Sequence, residues 1–278
     1  MRQIRHLNAI YDQLGLKKSL IELSNQKIEI PYLDTYNDPN QYWYPHPPVL
    51  IPLFIGHGAS YKGIICHFFL FREKSYVEYV LEWGYMIEFA RNVDQIYAQM
   101  VLDMDMVAEG LDDKILKFCD DVEFKEANEV DIFADKYGNI LADYDKLFHL
   151  IKNTPLTYLK DLSSYTGDYP SSETIFNENQ LNNACSFEIA DPKFLKTISN
   201  LPKWLIEGNR QKELFDELLN KNDLKGAWLT LNSKGWQLED VAIALEKLKF
   251  KTNDKLFHLV ADNWIDGWAN SNFKEDSY

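Results

Sequence analysis

The chain has 278 residues, of which 46% are hydrophobic and 14% aromatic, so it can bury a substantial core and is not intrinsically disordered. Its 29 basic and 43 acidic residues give a formal net charge of −14, and such a surface repels phosphate backbones, which argues against direct binding of nucleic acid. An acidic surface attracts a basic protein instead.

The sequence carries no signal for a membrane or for export. No run of apolar residues reaches the roughly 18 needed to span a bilayer. The N-terminal stretch MRQIRHLNAIYDQLGL lacks the apolar region and the small-residue cleavage site of a signal peptide. Cys66, Cys119 and Cys185 are odd in number and far apart, as expected of reduced thiols. We therefore expect a cytoplasmic protein that does not bind membranes.

The first 90 residues predict a helix followed by short strands. Apolar residues recur at helical spacing at the start, with Gly15 as an interruption or cap. The stretch QKIEIPYLDTY alternates in the manner of a strand, and residues 49–55 and 63–71 are rich in Val, Ile and Phe, which predicts two more strands. SYVEYVLEWGYMIEFARN predicts a strand through Leu81 and a helix from about Met86.

The rest of the chain is predicted to be largely helical. Residues 90–118 follow a helical pattern, whereas a polar, turn-rich stretch begins near residue 153. Five helical segments follow, and Asn253 or Asp254 can cap the last of them. The predicted architecture is α+β, with a small, mainly antiparallel sheet and flanking helices in residues 1–152 and an all-helical part in residues 153–278.

The stretch GHGASYKG raises the question of a ligand site, because His46, Cys66 and His67 lie nearby in sequence. A phosphate loop would need GxxxxGK[ST] or GxGxxG at the start of a helix, but strand-like residues follow here. Cys66 and His67 point to opposite faces of a strand, and no HExxH or CxxC is present. We therefore predict a turn between strands with His57 at its tip, and neither a metal nor a cofactor.

Acidic residues supply further candidate sites. Asp103 and Asp105 in LDMDM suggest a calcium loop, but the glycine and the terminal glutamate of that motif are missing and the segment is helical. Glu82 and Glu88 could pair as catalytic carboxylates. Because acidic residues are abundant, we interpret Glu82 and Glu88 as parts of a solvated face.

The charge is concentrated in one segment. Residues 103–145 contain 14 acidic residues and 4 lysines, a local net charge of −10. Such a concentration is either a solvated face or a surface that steers a basic partner to fast association. Aromatic residues in YNDPNQYWYPHPP add side chains of the kind found at interface centres. The candidate partner-binding residues are Asp103, Asp105, Glu109, Asp112, Asp113, Asp120, Asp121, Trp43 and Tyr44.

The succession IEIPYLDTY, YWYPHPPVLIPLFIGHGASYKGIICHFF and SYVEYVLEWGYMIEFARNVDQI resembles the SUKH superfamily over residues 1–125. That group includes Syd, yeast regulators of cell-wall synthesis and immunity proteins of bacterial toxin systems. The resemblance implies a non-catalytic protein that neutralises a cognate toxin by binding it. The acid-rich surface is compatible with a basic toxin domain, such as a nuclease. Two alternatives stay open: a metal-dependent hydrolase using the His46, His57 and His67 region, and a housekeeping protein-interaction adaptor.

Overall fold

The computed structural model describes residues 6–159, 164–167, 202–206 and 210–278, which form an α+β fold. A four-stranded antiparallel sheet lies in the N-terminal part, and its strands neighbour one another in chain order. The elements of this part are α1 (His6–Leu14), α2 (Lys18–Ser24), β1 (Leu50–Ile55), β2 (Ser60–Ile65), β3 (Ser75–Val80) and β4 (Tyr85–Ala90). The predicted fold class is confirmed.

The break in the first helical pattern lies at Gly15, as predicted. Gly15 has a φ of 66°, a conformation that side chains with a Cβ rarely adopt, and it follows the last residue of α1. The apolar positions Leu7, Ile10 and Leu14 are buried, because helical spacing places them on one face of α1.

The prediction of a helix from about Met86 is wrong, because residues 85–90 form β4. Gly84, with a φ of 64°, lies in the turn after β3, and β4 then pairs antiparallel with β3. The helix begins only at Val93, where the side chain of Asn92 accepts a hydrogen bond from the backbone N–H of Gln95. The polar pair Arg91-Asn92, rather than the apolar pattern, marks the boundary.

Two other strand predictions need correction. The stretch QKIEIPYLDTY is not a strand, since Pro31 lacks a backbone donor and Tyr32 has a φ of 64°. The following Asn37 forms an isolated bridge with Ile55, and this bridge pairs the last residue of β1 on its free edge. The second Val/Ile/Phe-rich run is paired over Ser60–Ile65 and not as far as residue 71.

Helices and short 3₁₀ turns follow the sheet. Helix α3 packs against α4 and α5. The 3₁₀ turn Leu156–Tyr158 packs along β4, which is the other edge strand of the sheet. The elements are α3 (Val93–Ala108), α4 (Asp113–Val122), α5 (Ala127–Tyr137), a 3₁₀ turn (Leu141–Lys146), α6 (Phe148–Ile151) and a 3₁₀ turn (Leu156–Tyr158).

The C-terminal elements are a 3₁₀ turn (Lys203–Leu205), α7 (Gln211–Asn220), α8 (Leu224–Leu231), α9 (Leu238–Lys249) and α10 (Lys255–Ala269). The predicted cap of the last helix is confirmed at Asp254, whose side chain accepts hydrogen bonds from the N–H groups of Leu256 and Phe257. Of the helices in the described ranges, none is both long and apolar enough to cross a membrane.

The sheet and the C-terminal helices share one hydrophobic core. Buried side chains from residues 7–158 and 215–264 belong to a single cluster. Hydrogen bonds among the described residues also join the parts. Val49 N–H donates to Asn232 Oδ1 at 2.6 Å, and Trp264 Nε1–H donates to the carbonyl of His46 at 2.8 Å. The division at residue 153 remains a prediction about independent folding, and most of its turn-rich stretch lies outside the described residues.

We expect Asn232→Ala to lower the free energy of unfolding by about 1–3 kcal/mol, because the buried Val49 N–H loses its acceptor. The control, Asn270→Ala on the exposed end of α10, should change it by less than about 0.5 kcal/mol. Urea unfolding of both variants measures the difference. Since the parts share a core, we expect one transition; two transitions, only one of which moves in Asn232→Ala, would contradict this expectation.

Candidate functional site

The first half of the GHGASYKG stretch is a connection between strands, as predicted, whereas its second half, SYKG, begins β2. Residues 56–59 link β1 to β2, and Gly58 has a φ of 68°. Ser60 closes the turn, because its hydroxyl donates a hydrogen bond to the carbonyl of His57 at 3.0 Å. His57 itself is exposed at the tip.

The three histidines considered for a hydrolase occupy separate environments. His46 is buried and donates from Nδ1 to the carbonyl of Tyr44 at 2.7 Å, and burial lowers its pKa to about 4. His67 accepts a hydrogen bond from Arg72 at 2.7 Å, and burial together with Arg72 holds its pKa well below the usual value. Within the part of the chain that the structure describes, no three His, Cys, Asp or Glu side chains are grouped to hold a metal.

The two aromatic candidates differ in position. Trp43 lies in the core, edge-on to Trp264 with ring centroids 5.4 Å apart, and a Cβ on Gly267 would clash with its indole. Trp43 therefore anchors α10 to the chain before β1 and is not an exposed contact residue. Tyr44 is half-buried beside the exposed Tyr42, with ring centroids 4.7 Å apart, so these two tyrosines remain at the surface.

Two acidic candidates stabilise the fold locally. Asp112 caps α4 by accepting hydrogen bonds from the N–H groups of Lys114 and Ile115. It also accepts one from the hydroxyl of Tyr32, and this bond is the main reason why the pKa of Asp112 lies below its usual value. Asp121 forms an ion pair with Lys117 on the same helix.

Asp103 lies near a half-buried polar cluster that the sequence interpretation missed. Lys62 and Glu78 pair across β2 and β3 at 3.9 Å, and the Lys62 ammonium lies over the rings of Tyr36 and Phe89. Burial lowers the pKa of Lys62, but Tyr36, Glu78 and Asp103 together raise it by more. The pKa of Lys62 therefore lies above its usual value. Burial raises the pKa of Asp103, against the opposing effects of Lys62 and of the hydrogen bond that Asn139 donates to Asp103 at 3.2 Å.

The other acidic candidates lie apart from these. Glu109 is exposed at the end of α3 with a φ of 60°, and Asp105 is buried on the side of α3 that packs against α5. Asp113 and Asp120 are exposed on α4. The candidates therefore do not form one continuous patch, and only Glu109, Asp113, Asp120 and Asp121 present exposed carboxylates.

The outer faces of α4 and α5 combine charge with exposed apolar side chains. On α4, Leu116 is 43% exposed and is flanked at helical spacing by Asp113 and Asp120. On α5, Ile132 is 65% exposed and is flanked in the same way by Glu129 and Asp135. These four carboxylates form no ion pair with any other residue in the described ranges. We call these six residues the α4–α5 surface.

Glu88 is the most unusual carboxylate of the sheet, and its interpretation as part of a solvated face is wrong. It is 1% exposed and accepts hydrogen bonds from Ser75 Oγ, from Leu156 N–H at 2.7 Å and from Tyr165 Oη at 3.0 Å. Burial raises its pKa to about 7, although these hydrogen bonds act in the opposite direction. Glu88 lies two residues from Met86 and two from Ala90, and both of these are buried. Because side chains alternate between the two faces of a strand, this spacing is the sequence signal that Glu88 points inward.

We expect Glu88→Gln to change how stability depends on pH. The pKa of Glu88 in the folded protein, about 7, lies above the reference value of 4.5. Protonation of Glu88 therefore contributes its full stability below pH 4.5, and this contribution is lost as the pH rises through 7. The stability of the wild type relative to the variant should therefore fall by about 3 kcal/mol across that range.

Urea unfolding at a series of pH values measures this difference. The matched control is Glu82→Gln, because Glu82 is exposed in the turn between β3 and β4. A difference between wild type and Glu88→Gln that is the same at all pH values would show that Glu88 does not titrate in this range.

Comparisons with known proteins leave the resemblance untested. The chain matches no protein-family model, no curated protein and no solved structure. Membership of the SUKH superfamily stays a prediction, and the geometry of the described residues carries the functional argument.

Proposed function

We propose that this chain is a non-catalytic binding protein of the immunity type, which neutralises a basic toxin domain in the cytoplasm by direct contact. The α4–α5 surface is the observation that carries this proposal. Its four carboxylates lack ion-pair partners within the described ranges, and two exposed aliphatic side chains lie between them. The resemblance to the SUKH superfamily gives the toxin as the kind of partner.

The physical roles of the two residue types differ. Exposed carboxylates are well hydrated in the free protein, and they accelerate the approach of a positively charged partner through their long-range field. Leu116 and Ile132 lose their contact with water only when a partner covers them, so they slow its departure. A surface of this kind favours fast association with a basic protein followed by a stable complex.

We expect the triple variant Asp113→Asn, Asp120→Asn and Glu129→Gln to associate about 10-fold more slowly at low salt with a cognate toxin domain. The dissociation rate should change little, because exposed rim charges act mainly on encounter. Stopped-flow mixing at two salt concentrations measures both effects, and added salt should slow the wild type more than the variant.

The matched control changes the same number of charges on the C-terminal elements. Glu239→Gln, Glu275→Gln and Asp276→Asn alter exposed carboxylates that form no ion pair among the residues described. If this control slows association as much as the first triple variant, the effect comes from net charge and not from the α4–α5 surface.

Leu116→Ala and Ile132→Ala should show the opposite kinetic signature. Together they should accelerate dissociation of the toxin domain by about 10-fold while leaving association nearly unchanged. Because both side chains are largely exposed, unfolding in urea should stay close to that of the wild type. An unchanged dissociation rate would show that Leu116 and Ile132 lie outside the interface.

A further inference from the structure

Residues 164–167 are fastened to the sheet by two side chains at the end of β4. The hydroxyl of Tyr165 donates a hydrogen bond to the Glu88 carboxylate and lies 3.0 Å from each of its oxygens. Arg91 Nη1 donates to the hydroxyl of Thr166 at 2.8 Å, and the guanidinium lies 5.3 Å from the centre of the Tyr165 ring. Glu88 and Arg91 therefore hold two successive residues of this segment.

The fit of this segment leaves no room for a side chain at Gly167. A Cβ there would lie 2.5 Å from the Tyr165 hydroxyl and 2.9 Å from Cζ of Arg91. Glycine permits such a close approach, whereas a larger residue would push the hydroxyl away from Glu88. Three successive residues of the segment therefore take part in one specific contact.

The carboxylate at the centre of this contact has no ion-pair partner among the residues described. Glu88 is 1% exposed, and Arg91, the cation that acts on it electrostatically, pairs instead with Glu73 at 3.1 Å. The other groups that face Glu88 are the hydroxyl of Ser75 on β3 and the N–H of Leu156. A buried carboxylate without a paired cation favours its neutral form.

The groups around Glu88 accommodate both of its charge states. An ionised carboxylate accepts hydrogen bonds from the hydroxyls of Tyr165 and Ser75, whereas a protonated one donates to one of them, because a hydroxyl can reverse its role. The N–H of Leu156 can only donate, and the oxygen that accepts from it is free to do so in both states. Burial raises the pKa of Glu88 to about 7, so the two states exchange near neutral pH.

We propose that residues 164–167 form a pH-sensitive latch, which stays docked on the sheet while Glu88 carries a proton and is released as Glu88 becomes ionised. When Tyr165 leaves, water reaches Glu88 and stabilises its charged form, so the released state binds the proton more weakly than the docked state. Docking should therefore weaken by up to about 10-fold for each pH unit between the pKa of Glu88 in the released state, near its ordinary 4.5, and about 7.

The test uses the full chain, with ¹³C-labelled threonine methyl groups and glutamate carboxyl groups, in NMR spectra from about pH 5 to about pH 9. The Thr166 methyl signal, identified by its loss in Thr166→Ser, reports on docking, because the Thr166 hydroxyl is bonded to Arg91 in the docked state. The carboxyl carbon of Glu88 reports on its charge. We expect the Thr166 signal to change from the docked to the released position with the same midpoint as the titration of Glu88.

Glu88→Gln should keep the segment docked at every pH, because the amide still accepts a hydrogen bond from Leu156 and no longer titrates. The matched control Glu82→Gln removes an exposed carboxylate from the turn between β3 and β4, and it should leave the transition unchanged. A Thr166 signal that stays constant while Glu88 titrates, or a transition that persists in Glu88→Gln, would overturn the proposal.

Gly167→Ala tests the latch without altering Glu88, and it keeps the proposal testable even if Glu88→Gln fails to fold. The added Cβ should displace the Tyr165 hydroxyl, so the Thr166 methyl should show the released signal at every pH. Because water then reaches Glu88, its apparent pKa should fall by about one unit or more. An unchanged pKa of Glu88 in this variant would overturn the coupling between docking and the proton.

Discussion

The contact between the chain before β1 and the C-terminal helices is the interaction on which the remaining structure depends. Val49 N–H and the His46 carbonyl are backbone groups in a buried stretch, and their partners, Asn232 and Trp264, lie 183 and 218 residues away in the chain. Burying either backbone group without a hydrogen-bond partner would cost free energy. The stretch before β1 is therefore buried favourably because Asn232, at the end of α8, and Trp264 on α10 supply the partners. Trp43 packing beside Gly267 serves the same contact.

A second set of buried polar groups fastens the segment after α5. Gln95 donates from Nε2 to the carbonyls of His149 and Asn153, and its Oε1 accepts from Arg91 N–H. Glu88 accepts a hydrogen bond from the backbone N–H of Leu156, so the 3₁₀ turn Leu156–Tyr158 covers the edge of β4. One edge of the sheet is thus covered by this turn, and one end of the other edge is paired through the bridge between Asn37 and Ile55.

Much of the fold could be predicted from local signals, but these signals failed where distant contacts decide. The helix break at Gly15, the turn at His57 and the cap at Asp254 depend on residues close in the chain. In contrast, β4 is a strand because β3 pairs with it, although its residues also suit a helix. The burial of Glu88 depends in part on Leu156, 68 residues further on, which no short pattern contains.

The same contrast holds for the candidate site. The net charge of −10 in residues 103–145 could be counted, but it says nothing about which carboxylates are already engaged by the fold. Asp112 caps a helix, Asp121 and Asp143 pair with lysines, and Asp103 accepts a hydrogen bond from Asn139, so the capacity to bind cations is smaller than the charge suggests.

The remaining carboxylates differ in what a cation could gain from them. A cation that bound Asp113 or Asp120 would displace their hydration, and the net gain in free energy from such an exposed pair is small. At Asp105, burial and two neighbouring carboxylates already oppose the charged form. Because Asp105 is 3% exposed, this disfavoured charge is a constraint on the packing of α3 against α5 and not a contact open to a partner.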